Sequence, residues 1–388
     1  MNRAIAILAL LTMALAAGCG KERPEDPDGA GAILVTATDT SGFFPGSALG
    51  EPFPVDSAEV SVQGRTHSYS AAGMTDETGS ISFDKLATGK YSVFVRREVK
   101  VGPNKKVFTG FGDVTVSGQD NAHKNILVKT VSVSNLMISE VFYAGSCASS
   151  FYFYDQYVEL YNAAAETLYL DNLIVTRQAQ VQDPEMEQKD YVSALYVFQL
   201  KGTGKQYPIA PGQYAVIAAD AVNHKQFCVN SPNLSPSNPN LSHNPGEPHK
   251  LYETFNALGN DYDVAGVPNF ENINPTRTTD FLINLSHNGV VIAEGGVYPI
   301  DDKNYMRIPI DKVIDAVEYA SNPYVTQKEM TVRVDAGFAG VGIAKYGGQS
   351  TERREPGLDT NNSTFDFVVI PYATPGYYFG PQRQVPVR

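Results

Sequence analysis

The 388-residue sequence has no tryptophan, only three cysteines and six histidines, and past its N-terminal segment no apolar run of membrane-spanning length. Basic residues are the minority, 30 Lys and Arg against 42 Asp and Glu, for a net charge of −12. A chain this acidic lacks the positive footprint that nucleic acid requires, so nucleic acid is not an expected partner. Catalytic signatures are missing as well. There is no His-Glu-x-x-His zinc helix and no Gly-x-Ser-x-Gly nucleophile elbow. Gly202-Thr203-Gly204-Lys205 lacks the first glycine of a phosphate loop and is followed by Gln206 instead of Ser or Thr, so it reads as a hairpin turn. Gly340-Val341-Gly342 lacks the third glycine of a dinucleotide fingerprint. The expectation is a protein without enzymatic activity and without a cofactor.

What is present begins at the N-terminus. Arg3 precedes an almost purely apolar run from Ala4 to Ala17, shorter than the roughly 20 residues a spanning helix needs but suited to a signal peptide. The small residues Ala16-Ala17-Gly18 stand directly before Cys19, with Leu15 four positions ahead of the cysteine instead of the usual three. Residues 1–18 are therefore expected to be removed and Cys19 to be lipidated; its three acyl chains would suffice for stable anchoring. Residues 19–31 are charged and rich in Pro and Gly without apolar periodicity, and read as a disordered tether. Lys21 followed by acidic residues resembles the export signal of Bacteroidota lipoproteins destined for the outer face of the outer membrane. The expected location is the outer membrane, on the cell surface.

Outside the cytoplasm the two remaining cysteines, Cys147 and Cys228, form a candidate disulfide, with two free buried thiols as the alternative. The 22 Tyr and 19 Phe, together with β-branched residues, suit strands. Between residues 32 and 131 short apolar runs alternate with turn signals at the spacing of a β-sandwich. The stretch from Thr75 to Val93 carries a hairpin turn at Asp76 and Gly79, inward residues at Ile81 and Phe83, a core plug at Leu86, and a new strand at Tyr91 and Val93. This segment resembles the carboxypeptidase-regulatory-like or transthyretin-like sandwich, a spacer module that implies no chemistry.

Residues 132–388 open with strands at Leu136–Tyr143 and Gln156–Asn162. Apolar segments follow at Leu168–Val175 and, after Pro211-Gly212, at Tyr214–Ala218. Near the end stand an Asp359–Ser363 turn, Asp366-Phe367 and Thr374-Pro375-Gly376. This order resembles the lamin-tail domain, an immunoglobulin-like sandwich, with large insertions over about residues 220–345. The whole layout resembles a family of uncharacterised surface lipoproteins of Bacteroidota. The expected fold class is all-β, two immunoglobulin-like β-sandwiches in tandem, the second with large loop insertions.

Two loop features are candidate sites. The aromatic run Phe151, Tyr152, Phe153, Tyr154 and Tyr157 follows Cys147. Strand alternation buries only every other residue, so some rings must face a ligand, solvent or a second packed surface. His243, Glu247 and His249 could offer nitrogen and oxygen ligands to a metal, although loop spacing fixes no geometry. Asp359, Asn361 and Ser363 alternate like calcium ligands but lack the glycine and distal glutamate of such a loop, and read as capped turns. The leading functional expectation is a non-enzymatic surface lipoprotein that captures a ligand or protein beside an outer-membrane nutrient transporter. The alternatives are an adhesin or structural component of a surface complex, and an accessory to a metal-dependent hydrolase.

Overall fold

The computed structural model describes residues 29–64, 69–101, 104–118, 121–131, 135–180, 186, 189–257, 261–274, 280–325 and 327–380. The signal peptide, Cys19 and most of the tether lie outside the described residues. The end of the expected tether is ordered: Gly29 donates its N–H to the Lys85 carbonyl, and the first strand starts at Gly31. The described chain is almost entirely β, and it divides into two compact units. One comprises the residues up to 97 with 110–129, the other 98–109 with 130 onward.

The first nine strands are β1 (Gly31–Ser41), β2 (Leu49–Pro54), β3 (Glu59–Gly64), β4 (Ser70–Met74), β5 (Ser80–Leu86), β6 (Gly89–Val101), β7 (Asn104–Val116), β8 (Asn121–Leu127) and β9 (Lys129–Val131). They form one sheet of order β2-β1-β5, with β8 joining β1 in parallel, and a second of order β4-β3-β6-β7-β9. Alternation along β1 buries Ile33, Val35 and Ala37, while β3 and β6 contribute Val60, Val62, Tyr91, Val93 and Val95 to the interior. The Asp76 turn forms as its sequence dictates. Asp76 Oδ1 accepts from the Thr78 and Ser80 N–H groups, and Gly79 takes φ +73°, where a Cβ would lie 2.7 Å from the Ala37 carbonyl.

The second unit is built on one twelve-stranded sheet. Its strands are β10 (Leu136–Phe142), β11 (Tyr157–Asn162), β13 (Ile174–Gln178), β14 (Tyr191–Leu200), β16 (Tyr214–Ala218), β17 (Leu251–Phe255), β18 (Asn269–Asn272), β19 (His287–Ala293), β20 (Met306–Pro309), β21 (Val313–Ala320), β22 (Ser350–Arg353) and β23 (Phe367–Ile370). A small separate pair is formed by β12 (Leu168–Tyr169) and β15 (Pro208–Ile209). The long sheet runs β21-β19-β13-β14-β18-β17-β16-β11-β10-β22-β23, with β20 on β14. It rolls back on itself, so that β21 lies against β10, where Asp315 accepts the Ile138 N–H. The enclosed core holds Ile138, Val141, Val158, Phe198, Ile217, Phe270, Val290 and Val317.

The region expected to be loop insertion supplies five of these strands, β17 to β21. Its apolar runs are short and interrupted by polar turns, which hid them as strands. The irregular parts of the same region cover the sheet's outer surface. Phe142, Tyr157, Val216 and Ala218 point out of the main core and are buried beneath Ala221, Leu234, Leu241 and Val267.

Candidate functional site

The covered outer surface carries the features that could meet a ligand. On leaving β10 the chain enters a loop whose Cys147 is bonded to Cys228, closing 81 residues. Beneath the disulfide, Asp155 is fully buried and its Oδ2 accepts from Ser146 Oγ and Ser231 Oγ, each at 2.6 Å. Burial raises the Asp155 pKa against the lowering effect of the two serines. One carboxylate thus fastens both disulfide-linked loops.

The aromatic run divides between surface and interior. Tyr152 donates its hydroxyl proton to Nδ1 of buried His224 at 2.7 Å, and His224 Nε2 lies 2.9 Å from the Asp220 carbonyl. Burial depresses the His224 pKa to about 4, so the ring is neutral; a carbonyl only accepts, which places the ring proton on Nε2 and leaves Nδ1 as acceptor. The Tyr152 ring stacks on Phe227 at 5.5 Å and meets Tyr154 at 5.9 Å, and Tyr154 stacks on Phe153 at 4.8 Å. Phe151 is 66% exposed, Phe227 47% and Tyr154 42%. Tyr152, Phe153, Tyr154 and Phe227 form a continuous, partly open aromatic surface on the stapled loops, while Phe151 meets Tyr346 edge-to-face at 5.4 Å. Tyr157 does not belong to it. As part of β11 it is fully buried against Phe142, because the loop segments cover that face of the sheet.

His243, Glu247 and His249 do not assemble into a metal centre. The two imidazoles lie 4.0 Å apart, but Glu247 is exposed and both its oxygens accept from Asn244, which lowers its pKa. Among the described residues no group of three His, Cys, Asp or Glu side chains could hold a metal ion. The Asp359 turn is likewise structural. Asp359 accepts the Asn361 N–H and lies 3.4 Å from Arg353 Nη1, while Ser363 donates to Asp335 and to the Glu318 carbonyl.

A ladder of buried carboxylates lies on the same outer face. The register of β10 slips between Ile138 and Glu140, a bulge that sets Glu140 opposite Glu159 of β11, and Glu352 of β22 is its partner on the other side. A segment after β23 crosses this row as a strap. Thr374 gives its N–H and hydroxyl to Glu140, Gly376 its N–H to Glu159, and Phe379 its N–H to Glu352. Burial, opposed by the bonds from Thr374, pushes the Glu140 pKa up to about 7, and burial with the neighbouring Glu140 raises Glu159 well above its ordinary value.

Between this strap and the loop after the disulfide lies a cavity of about 420 Å³. Lys225, Asn230 and Asn240 line one wall, and Tyr372, Pro375 and Tyr377 the other. No carboxylate lines it. Sequence reasoning missed both the glutamate row and the cavity. Glu140 and Glu159 read as ordinary polar positions in amphipathic strands, and the cavity joins segments more than a hundred residues apart.

Comparison with known proteins places these features in context. A family profile described as "Protein of unknown function (DUF4876)" matches residues 210–372. The chain is similar to the crystal structure of a DUF4876 family protein from Bacteroides thetaiotaomicron, at 24% identity and a TM-score of 0.50, covering 87% of this chain and 94% of that one. That likeness supports the fold. A candidate carbohydrate-binding protein from Pseudomonas aeruginosa matches 26% of this chain and 90% of its own at 15% identity and a TM-score of 0.21. The minor pilin of Streptococcus agalactiae matches 48% of this chain and 82% of its own at 11% identity and a TM-score of 0.18. Scores this low carry no argument about either protein's role here. No curated protein matches the chain.

Proposed function

We propose that this protein is a non-enzymatic lipoprotein of the bacterial outer membrane, anchored through Cys19, that displays its second unit on the cell surface to capture a ligand for an outer-membrane transporter. The observation that carries the reading is the partly open aromatic surface of Tyr152, Phe153, Tyr154 and Phe227, with Phe151 exposed on the same loop, on segments stapled by Cys147–Cys228. Aromatic side chains held in place contribute contact area at small entropic cost, a property of recognition surfaces. The N-terminal apolar segment ending before Cys19, and the charged stretch after it, support the anchor and the display.

The test combines placement and partner. In the native bacterium the full-length chain should fractionate with the outer membrane and be cut by protease added to intact cells, and Cys19→Ala should abolish membrane retention. A tagged wild-type chain should co-purify with a transporter barrel, and combined Phe151→Ala, Tyr154→Ala and Phe227→Ala should weaken that association or ligand capture. A chain that stays in the periplasm, or a deletion strain with normal nutrient uptake, would sink the proposal. A stable partner that is not a transporter would favour a structural role in a surface complex.

A further inference from the structure

We infer that the cavity between the disulfide-bound loop and the C-terminal strap is a saccharide-binding site, sized for a mono- or disaccharide. This rests on the capture reading above and names the ligand class. The volume of about 420 Å³ falls within the range of small-molecule sites. Its lining is unusual for such a site in being dominated by neutral hydrogen-bonding groups. Four asparagines, Asn230, Asn233, Asn238 and Asn240, border it together with two tyrosines. An amide offers donors and an acceptor side by side, which is what adjacent sugar hydroxyls require.

The asparagines are not equivalent. Asn233 and Asn238 are engaged in holding the loop: Asn233 Oδ1 accepts from Ser235, and Asn238 Nδ2 donates to the Asn233 carbonyl. Among the described residues the side-chain amides of Asn230 and Asn240, the Lys225 ammonium and the Tyr377 hydroxyl have no hydrogen-bond or ion-pair partner. Two amides, a phenol and an ammonium with open hydrogen-bonding capacity therefore border one cavity. Tyr372 supplies the apolar element. Its ring is held edge-to-face on buried Phe379 at 5.3 Å while the residue remains 47% exposed. A fixed, open tyrosine ring suits the C–H face of a pyranose, with the phenol at its rim. Lys225 is the cavity's lone charge, and it gives a preference for sugars that carry a carboxylate.

Both walls are prebuilt. Asp155 and the disulfide hold the loop, the glutamate row holds the strap, and Gly376 brings the two together. Gly376 has φ +87°, and a Cβ there would lie 2.8 Å from the Asn240 carbonyl. A cavity already shaped before the ligand arrives avoids the ordering cost that weakens binding to mobile loops.

The test is calorimetric titration of the purified full-length protein in detergent with glucose, galactose, mannose, N-acetylglucosamine, their β-linked disaccharides, glucuronic acid and sialic acid. At least one should bind with one-to-one stoichiometry. Tyr372→Ala and Asn240→Ala should each weaken it about tenfold or more with an unchanged circular dichroism spectrum. Lys225→Gln should weaken acidic sugars selectively. Asn230→Trp, which fills the cavity from an exposed position, should abolish binding of all of them. No saccharide binding at millimolar concentration, or binding indifferent to Tyr372→Ala and Asn230→Trp, overturns the assignment, as does selective binding of a peptide library at this cavity. A protein that still captures another nutrient but no sugar defeats this inference and leaves the capture reading standing. Sugar binding at the cavity in a protein whose deletion leaves uptake normal does the reverse.

Discussion

The buried glutamate row makes stability depend on pH in a direction opposite to that of most salt-bridged carboxylates. Glu140 has an ordinary value of 4.5 and is pushed up to about 7 in the folded chain, chiefly by burial. A carboxyl whose pKa is raised by folding binds its proton more tightly in the native state. Its contribution to stability is therefore complete below pH 4.5 and is lost as pH rises through about 7. Each pKa unit corresponds to about 1.4 kcal/mol, so this one group should remove about 2–3 kcal/mol between pH 5 and pH 8. Glu159, raised in the same direction, faces it from β11, and the two share the titration, so the slope belongs to the pair.

The decisive variant is Glu140→Gln. The amide cannot ionise, yet it retains an oxygen for the Thr374 N–H and a donor for the Thr374 hydroxyl. Urea denaturation at half-unit steps from pH 5 to pH 8 should show wild-type stability falling with pH and the variant falling less, by about 2–3 kcal/mol at the upper end. Parallel curves for the two proteins would refute the reasoning, because they would mean that Glu140 releases no proton across that interval.

Three further outcomes follow from the packing. Replacing Cys147 and Cys228 by Ser reopens a loop of 81 residues and should destabilise the protein by about 4 kcal/mol on the chain-entropy account, read as a shift in denaturation midpoint. Gly376→Ala places a Cβ against the Asn240 carbonyl in a left-handed backbone and should lose about 1–3 kcal/mol, whereas Gly246→Ala, at positive φ with nothing within 4 Å, should lose less; equal losses would discredit the steric account. Arg353 is buried among Asp315, Asp359 and Asp366, which outweigh its own burial and raise its pKa. Arg353→Met should lose about 3–5 kcal/mol in thermal denaturation at neutral pH, because it removes the donor shared by Asp315, Asp359 and the Ile138 and Leu358 carbonyls.

The strands that alternate cleanly were legible in the sequence. The first strand follows from period-two burial and the Asp76–Gly79 turn from its turn chemistry, although that turn joins β4 and β5 of different sheets. Strands β10 and β11 were legible as apolar, β-prone runs, since β10 is buried along its whole length and does not alternate. Gly202–Lys205, which reads as a hairpin turn, instead joins β14 to β15, strands that do not pair; it is a bend fastened by Asp171, which accepts the N–H groups of Gly204, Gln206 and Tyr207. Strands β17 to β21 were not legible, because polar turns interrupt their apolar runs and three of them, β17, β19 and β21, are buried on both faces and show no alternation. Tyr157 was misplaced for a related reason. Periodicity tells which side of a strand a ring faces, but not that a segment some seventy residues later covers that side. The cavity was hidden most deeply, since no local pattern joins Asn240 to Tyr372.

The acidic composition acquires a structural reason from these contacts. The second unit connects its strands by long irregular segments, and irregular backbone buried against a sheet leaves N–H groups without ladder partners. In this chain carboxylates repeatedly supply the acceptor. Glu253 takes the N–H groups of Ala221 and Val264, Glu318 those of Glu329 and Met330, Asp335 those of Gly337 and Ser363, and the Glu140–Glu159–Glu352 row those of the strap. A carboxyl group offers two oxygens side by side and so accepts several such bonds at once. The glutamate row fixes one wall of the cavity, and Asp155, which accepts from two serine hydroxyls instead of backbone N–H groups, fixes the other. The acidic composition of the protein is thus partly internal scaffolding, and it stops short of the cavity lining, where the charged group is Lys225. Protonation of the scaffold need not empty the cavity: strengthening the folded state at mildly acidic pH leaves the non-titrating amides of Asn230 and Asn240 unchanged. Saccharide affinity should accordingly stay level from pH 5 to pH 7 while global stability declines, and an affinity that fell in step with stability would place the titrating carboxylates in the binding site instead of behind it.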